Sequence, residues 1–199
     1  MSLYIAFEGG EGSGKSTQAG ILADRLDALL TREPGGTPLG SHLRELLLTT
    51  DDVAIGARAE ALMMAADRAQ HIDEVVRPAL TEGRHVVSDR SAFSSMAYQG
   101  AGRELGIDAI GRLSDWAIDG QWPDVVIVLA VDAAAANGRL DRSLDRIERA
   151  GDEFHRRVAD AFVEMAAADR QRWLVVDGNG SVAEVADAVW RAVKPLIND

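Results

Sequence analysis

The residue order Gly9, Gly10, Glu11, Gly12, Ser13, Gly14, Lys15, Ser16, Thr17 constrains this chain more than any other feature, because it spells G-x-x-x-x-G-K-S between an apolar run and a helical pattern. Residues 3–7 are apolar enough for a buried strand. Residues 16–26 place Ile21, Leu22 and Leu26 at helical spacing, so strand, glycine-rich turn and helix follow in order. In that setting the glycines let backbone N–H groups converge on an anion. Lys15 reaches outer phosphates, and the Ser16 hydroxyl can ligand Mg²⁺ beside a helix N-terminus. An accidental match in a chain of this length is on the order of one in a thousand, so a plain surface turn is a poor rival.

The bulk properties narrow the partners. A chain of 199 residues fits one domain, spanning residues 1–199, with a full core. The net charge of −11 would repel nucleic acid and anionic membranes over most of the exterior, so neither is an expected partner. Positive charge must act locally. The 21 basic residues include only two lysines, Lys15 and Lys194, so anion binding beyond the cradle falls to arginine, whose fork matches phosphate. With no cysteine, and with His42, His71, His85 and His155 scattered, nothing has metal-ligand spacing, and a nucleotide-bound metal is the one cofactor indicated. No signal peptide and no apolar run approaching ~20 residues are present, which predicts a cytoplasmic protein.

Short apolar runs at residues 3–7, 85–88, 125–131 and 173–176, with a weaker one at 29–31, read as strands of a parallel sheet. Helical patterns at residues 57–70, 72–81, 108–118, 154–167 and 182–193 alternate with them. The expected fold is therefore α/β: a parallel five-stranded sheet flanked by helices in three layers. Ligands of such sheets bind beyond the carboxyl ends of the strands, so residues just after positions 7, 31, 88 and 131 should converge.

Those positions carry charge. After the second strand comes a Pro-Gly-Gly turn holding Arg32; after the third come Asp89 and Arg90, then Ser94, Ser95, Tyr98 and Gln99. An aspartate there can hold Mg²⁺ through water, and Arg90 can bridge two phosphoryl groups. Asp67 and Arg68 end an amphipathic helix. Residues 138–149 alternate charge on every face, which fits either a salt-bridged surface helix or an arginine-bearing lid over approximately 137–151.

Taken in register, the segments Phe7 to Thr17, Thr31 to Thr37, Ala65 to His71, Asp89-Arg90 with Ser94, Ala97 to Gly100, and Asp145 to Glu148 resemble the thymidylate kinase family of P-loop nucleoside monophosphate kinases. The resemblance runs the length of the chain. It implies a three-layer P-loop NTPase fold, transfer of the γ-phosphoryl of ATP to dTMP with Mg²⁺, and a cytoplasmic homodimer. By matching positions it implies that Gly9 to Thr17 hold ATP, with Ser16 and, through water, Asp89 on the metal. Glu11 would contact the sugar 3′-hydroxyl and Arg90 the acceptor phosphate. Arg68 and Ser95 would address the thymine edge, Tyr98 and Gln99 would wall the nucleoside, and Arg32 and Arg44 would line the acceptor side. The cradle holds no cation besides Lys15, so the chain resembles the type whose catalytic arginine, Arg139 or Arg142, is in the lid.

Three positions depart from that pattern. The interval before Thr31 is short, so the second strand should be abbreviated. Met64 stands four residues before Arg68, where an aromatic residue would stack on thymine; Ser91 replaces a common tyrosine, and the lid arginines are unusually spaced. Met64 keeps open a kinase for another deoxynucleoside monophosphate. A regulatory P-loop ATPase is the third reading, although no Asn-Lys-x-Asp guanine-reading segment is present.

Overall fold

The computed structural model describes residues 2–49, 53–132, 135, 139 and 145–197. Five strands, β1 (Tyr4–Glu8), β2 (Leu29–Arg32), β3 (Val86–Asp89), β4 (Val125–Ala130) and β5 (Trp173–Asp177), form one sheet in the order β2-β3-β1-β4-β5. Every pairing is parallel. The short second strand is as expected: β2 has four residues at the sheet edge, with Leu30 exposed. The central strand β1 is buried throughout, which is why it reads as an unbroken apolar run until Glu8.

Side chains alternate across the sheet, and each face collects its own core. Ile5, Phe7, Val87, Ile127 and Leu129 pack with Ala19 and Leu22 of α1 (Lys15–Leu26) and with Val185 and Val189 of the last helix (Val182–Ile197). The opposite face is covered by several helices: α2 (Pro38–Leu48), α3 (Ala57–His71), α5 (Ala92–Ser95), α6 (Ile107–Ile118) and α7 (Asp152–Ala168). Between α3 and α4 (Arg77–Thr81) the helix widens into a π-type turn, Ile72–Val76, and α5 likewise runs into a wide stretch, Met96–Gly102. The last helix is α8. Helices on both faces of a parallel sheet make the expected three-layer α/β fold.

Two helices escape the sequence periodicity. α2 begins at an N-cap, where Thr37 Oγ1 accepts from Gly40 N at 2.9 Å and Pro38 occupies the first turn; that Thr-Pro pair is the signal hidden behind the glycine-rich turn. α5 begins at Ser91, whose hydroxyl accepts from Phe93 N at 3.3 Å. Its wide continuation fits tightly against neighbours: a Cβ on Gly102 would lie 2.5 Å from the Phe154 ring, and one on Gly100 would meet the backbone of Ile107 at 3.0 Å. Residues of such π-type turns recur at functional sites, and this one carries Tyr98 and Gln99. Residues 137, 138 and 140–144 of the expected lid, Arg142 among them, lie outside the described residues; its described C-terminal part includes a 3₁₀ turn, Glu148–Ala150. Among the described residues no helix is long and apolar enough to cross a membrane.

Candidate active site

The register of β1 beside β3 sets Phe7 opposite Asp89, so the glycine-rich turn leaving β1 and the Asp89-Arg90 step leaving β3 emerge side by side. Gly9, Gly12 and Gly14 all have positive φ, and a Cβ on Gly9 would come within 3.1 Å of the Leu129 carbonyl, so the turn requires glycine. Inside it Ser13 Oγ donates to the Gly10 carbonyl at 2.9 Å. Lys15 Nζ donates to that carbonyl at 2.6 Å and to Ser13 Oγ at 3.3 Å. Burial, with Arg90 nearby, lowers the Lys15 pKa to about 8 against the pull of Glu11, Asp89 and Glu8, so the amine stays mostly charged at neutral pH.

At the head of α1, Ser16 Oγ makes a short hydrogen bond to Asp89 Oδ2. The other oxygen, Asp89 Oδ1, is buried without a hydrogen-bond partner among the described residues. A hydroxyl and a carboxylate with an unsatisfied oxygen form a hard oxygen donor set, which fits Mg²⁺.

Arg90 adopts φ 74° and sits at the centre of the charge. It pairs with Glu11 and donates to Ser94 Oγ at 3.1 Å and Tyr98 Oη at 3.2 Å, its guanidinium 5.0 Å from the Tyr98 ring centre. Burial alone would disfavour its charge, but Tyr98, Glu11, Glu8 and Asp89 more than reverse that and hold its pKa above the ordinary arginine value. Burial, reinforced by Glu11, pushes the Tyr98 hydroxyl well above the usual range despite Arg90, so it remains a neutral phenol.

A cleft of about 320 Å³ brings the expected residues together. Glu11, Lys15, Ser16, Thr17, Arg32, Arg44, Met64, Arg68, Asp89, Arg90, Ser95, Tyr98 and Gln99 all line it, with Gly12 and Gly14. Gly9 and Gly10 face an adjoining apolar groove under β4 and α7. Arg139 lies elsewhere: both of its Nη atoms donate to the Gly178 carbonyl at 3.1 Å, beside Ser13 and the starts of α1 and α8, and it does not line the cleft.

Three buried carboxylates that organise the cleft were not singled out from the sequence. Glu8, fully buried, accepts from Ser91 N and Oγ, Ser94 N and Ser94 Oγ at 2.6–3.1 Å, which ties the start of α5 to the end of β1. Burial raises its pKa against Arg90, both serines and Lys15. Glu33 accepts from Arg68 Nε at 2.6 Å and from His71 Nδ1 at 2.9 Å; burial opposes its charge, but these partners hold its carboxyl below the ordinary range. Glu60 gathers Gln99, Arg103 and Arg146 within 2.8–3.2 Å and is held low in the same way, its burial outweighed by Arg103 first and then by Gln99. An acid directly after an apolar strand, as Glu8 is after β1, and an acid beside a strand-end arginine, as Glu33 is beside Arg32, were the available signals.

This arrangement, a glycine-rich cradle facing an arginine-lined second compartment across an Asp-Arg step, is that of a P-loop protein whose cleft has room for a second anionic substrate, as phosphoryl transfer requires. A model of the thymidylate kinase family matches residues 7–189. The chain is 46% identical over 201 residues to a thymidylate kinase of Cutibacterium acnes, covering 98% of each, and 45% identical to one of Halothermothrix orenii, covering 96% of each. The crystal structure of a thymidylate kinase from Ehrlichia chaffeensis superposes with a TM-score of 0.81 at 30% identity, covering 96% of this chain and 98% of that one. The chain belongs to the thymidylate kinase family.

Proposed function

We infer that the chain transfers the γ-phosphoryl group of ATP to dTMP, giving dTDP and ADP for dTTP synthesis. The observation that carries this is the meeting of Lys15, Asp89 and Arg90 in one cleft: a cradle for a donor and a cation for a second phosphate, joined at the carboxyl ends of β1 and β3. An oxygen of the acceptor phosphate bonds to the γ-phosphorus as the bond to the β–γ bridging oxygen breaks, and ADP leaves with that electron pair. The acceptor phosphate is already an anionic nucleophile, so the site needs positioning and charge neutralisation rather than a general base. Lys15 neutralises the donor phosphates and Arg90 the acceptor phosphate. Glu11, paired with Arg90, orients it and reaches the sugar 3′-hydroxyl, while Tyr98 and Gln99 wall the nucleoside.

Ser16, and Asp89 through water, would hold Mg²⁺, which supplies neutralisation of the charge on the β- and γ-phosphates. Arg139 and Arg142 act as lid cations; the docking of Arg139 on Gly178 beside the cradle favours a role on the donor side. We read residues 1–199 as one catalytic domain, cytoplasmic and homodimeric. Leu62 on α3 is 59% exposed and Trp116 on the neighbouring α6 is 81% exposed, which gives a pairing face a sizeable apolar anchor.

ATP consumption against a panel of deoxynucleoside monophosphates tests the assignment. Turnover should depend strictly on dTMP. Preference for dCMP or dGMP would make this a kinase of another acceptor, as Met64 in place of an aromatic residue would then explain, and turnover with no acceptor would make it an ATPase.

A further inference from the structure

The end of the cleft where Arg68 lies contains a buried ion cluster that phosphoryl transfer leaves unused. Glu33 is 2% exposed and takes hydrogen bonds from Arg68 Nε at 2.6 Å, His71 Nδ1 at 2.9 Å and the Tyr4 hydroxyl at 3.4 Å. His71 is wholly buried, with Nε2 2.6 Å from Thr31 Oγ1, so each ring nitrogen has a hydrogen-bond partner. Its ring packs directly on Gly36, where an added Cβ would lie 2.6 Å from its Cδ2. Arg68 gives Nε to Glu33 and Nη2 to the Ser91 carbonyl at 3.2 Å. Its remaining nitrogen, Nη1, is buried and has no hydrogen-bond partner among the described residues, while the side chain lines the cleft.

A buried ion pair is a weak source of stability, because desolvation offsets most of the attraction. What this pair does supply is a guanidinium with one orientation and one unsatisfied donor. We propose that Glu33, anchored by His71, is a specificity-determining positioning residue that fixes Arg68 so that Nη1 presents a donor-only edge to the acceptor base. The inference rests on the dTMP kinase reading, in which Arg68 meets the base. Arginine has no acceptor, so a ring carbonyl at that edge is satisfied, whereas the amino group of cytosine would set donor against donor. Replacing Glu33 by Gln breaks the brace in a defined way. The amide has one acceptor oxygen to divide between Arg68 and His71, and its NH₂ must face one of two donors.

The test measures kcat and KM with dTMP and with dCMP for wild type, Glu33→Gln and His71→Gln, with circular dichroism to verify that each is folded. In Glu33→Gln the kcat/KM ratio of dTMP to dCMP should fall about tenfold, mostly through a raised KM for dTMP with kcat within about twofold, because the lost contact is made in ground and transition states alike. His71→Gln should move the ratio the same way by about threefold, since its amide can still donate to Glu33 but fills the site less rigidly. General loosening of the fold would lower both acceptors in parallel. Such parallel loss, or a ratio within about twofold of wild type in the folded variants, overturns the proposal, and if Glu33→Gln fails to fold, His71→Gln decides alone. A wild-type enzyme with no preference for dTMP over dCMP instead overturns the thymidylate reading and the brace with it.

Discussion

The cradle and the proposed acceptor end of the cleft meet at Asp89 and Arg90, yet they are built from different materials. The cradle is contiguous in sequence and made chiefly of backbone: three glycines with positive φ, one lysine and the first turn of α1. The acceptor end draws side chains from the turn after β2 and from α2, α3 and α5 with its wide continuation, and buried carboxylates hold its arginines in place. A backbone site binds anions of one general shape, whereas a site of braced side chains can be specific about what it accepts. The consequence is that damage at the two ends should look different: loss of chemistry at the cradle, loss of order or discrimination at the other.

The largest effect should follow from Lys15→Ala. A preorganised cation at developing negative charge is worth several kcal/mol, so kcat/KM should drop at least about 10²-fold while the fold persists, read by steady-state kinetics and thermal unfolding. Near-wild-type turnover would mean that the turn is not the donor site. Stability should show the reverse asymmetry. Glu60→Ala strands Arg103 and Arg146, and because those partners are partly exposed we expect a loss of about 2–3 kcal/mol rather than the full cost of a buried orphan. Ser13→Ala in the cradle removes the bond to the Gly10 carbonyl and the longer one from Lys15, which keeps its own bond to Gly10, and should cost only about 1 kcal/mol. Urea unfolding of the two variants decides; equal losses would erase the distinction between a backbone-built and a side-chain-built end.

The same contrast explains what could be read from the sequence. A motif confined to Gly9 to Thr17 carries its own context, so strand, turn and helix were all legible from local pattern, as were the five strands. Arg32 stood out by its place at the end of a strand, but the parts given to Arg44 and Arg68 came only through resemblance, because the physics of a side-chain site lies in contacts across 23–86 positions of sequence, such as Arg68 to Ser91 and Arg146 to Glu60. Glu33 looked like part of a turn, and its partner His71 looked like the end of a helix; neither shows its role until β2 and α3 are packed together. α2 was missed because Leu39 and Leu46 are exposed and only Leu47 and Gly40 are fully buried, so its apolar stripe is too faint to separate from the loop before it.

An intermediate effect concerns pH at the cradle alone. With Lys15 lowered to about 8 by burial, the ligand-free enzyme holds the charged amine at pH 7 and loses most of it by pH 9. ATP binding that needs the charged form should weaken by about tenfold over that interval, seen as a rising KM for ATP with little change in KM for dTMP. Lys15→Arg should flatten the rise. The linkage has the opposite sign for folding: between about 8 and the ordinary lysine value the unfolded chain keeps a proton that the folded chain has released. The ligand-free fold therefore gains stability on this residue's account as pH rises through that window. A KM for ATP that is constant from pH 7 to pH 9 would contradict the role given to Lys15.

The smallest effect belongs to the acceptor end and concerns Met64. Its side chain lines the cleft and is 7% exposed, packed into the cluster that includes Leu47, Phe93 and Tyr98. A thioether against a base contributes about 0.3–1.5 kcal/mol, and an aromatic ring stacked on a base about 1–3 kcal/mol, so Met64→Phe stands to gain a little. Part of that gain is lost because a rigid ring replaces a flexible chain in a packed cluster, where overpacking usually costs about 1–3 kcal/mol unless the cleft absorbs the volume. The net expectation is a KM for dTMP lowered by no more than about threefold. kcat should hardly move, because a contact with the base is equally strong before and during phosphoryl transfer. The ratio of dTMP to dCMP in the same variant separates the two effects: stacking favours both pyrimidines and should leave the ratio unchanged, whereas loss of the Glu33 brace should not. A Met64→Phe variant that shifts the ratio as far as Glu33→Gln would show that discrimination resides in the shape of the pocket wall rather than in the orientation of Arg68.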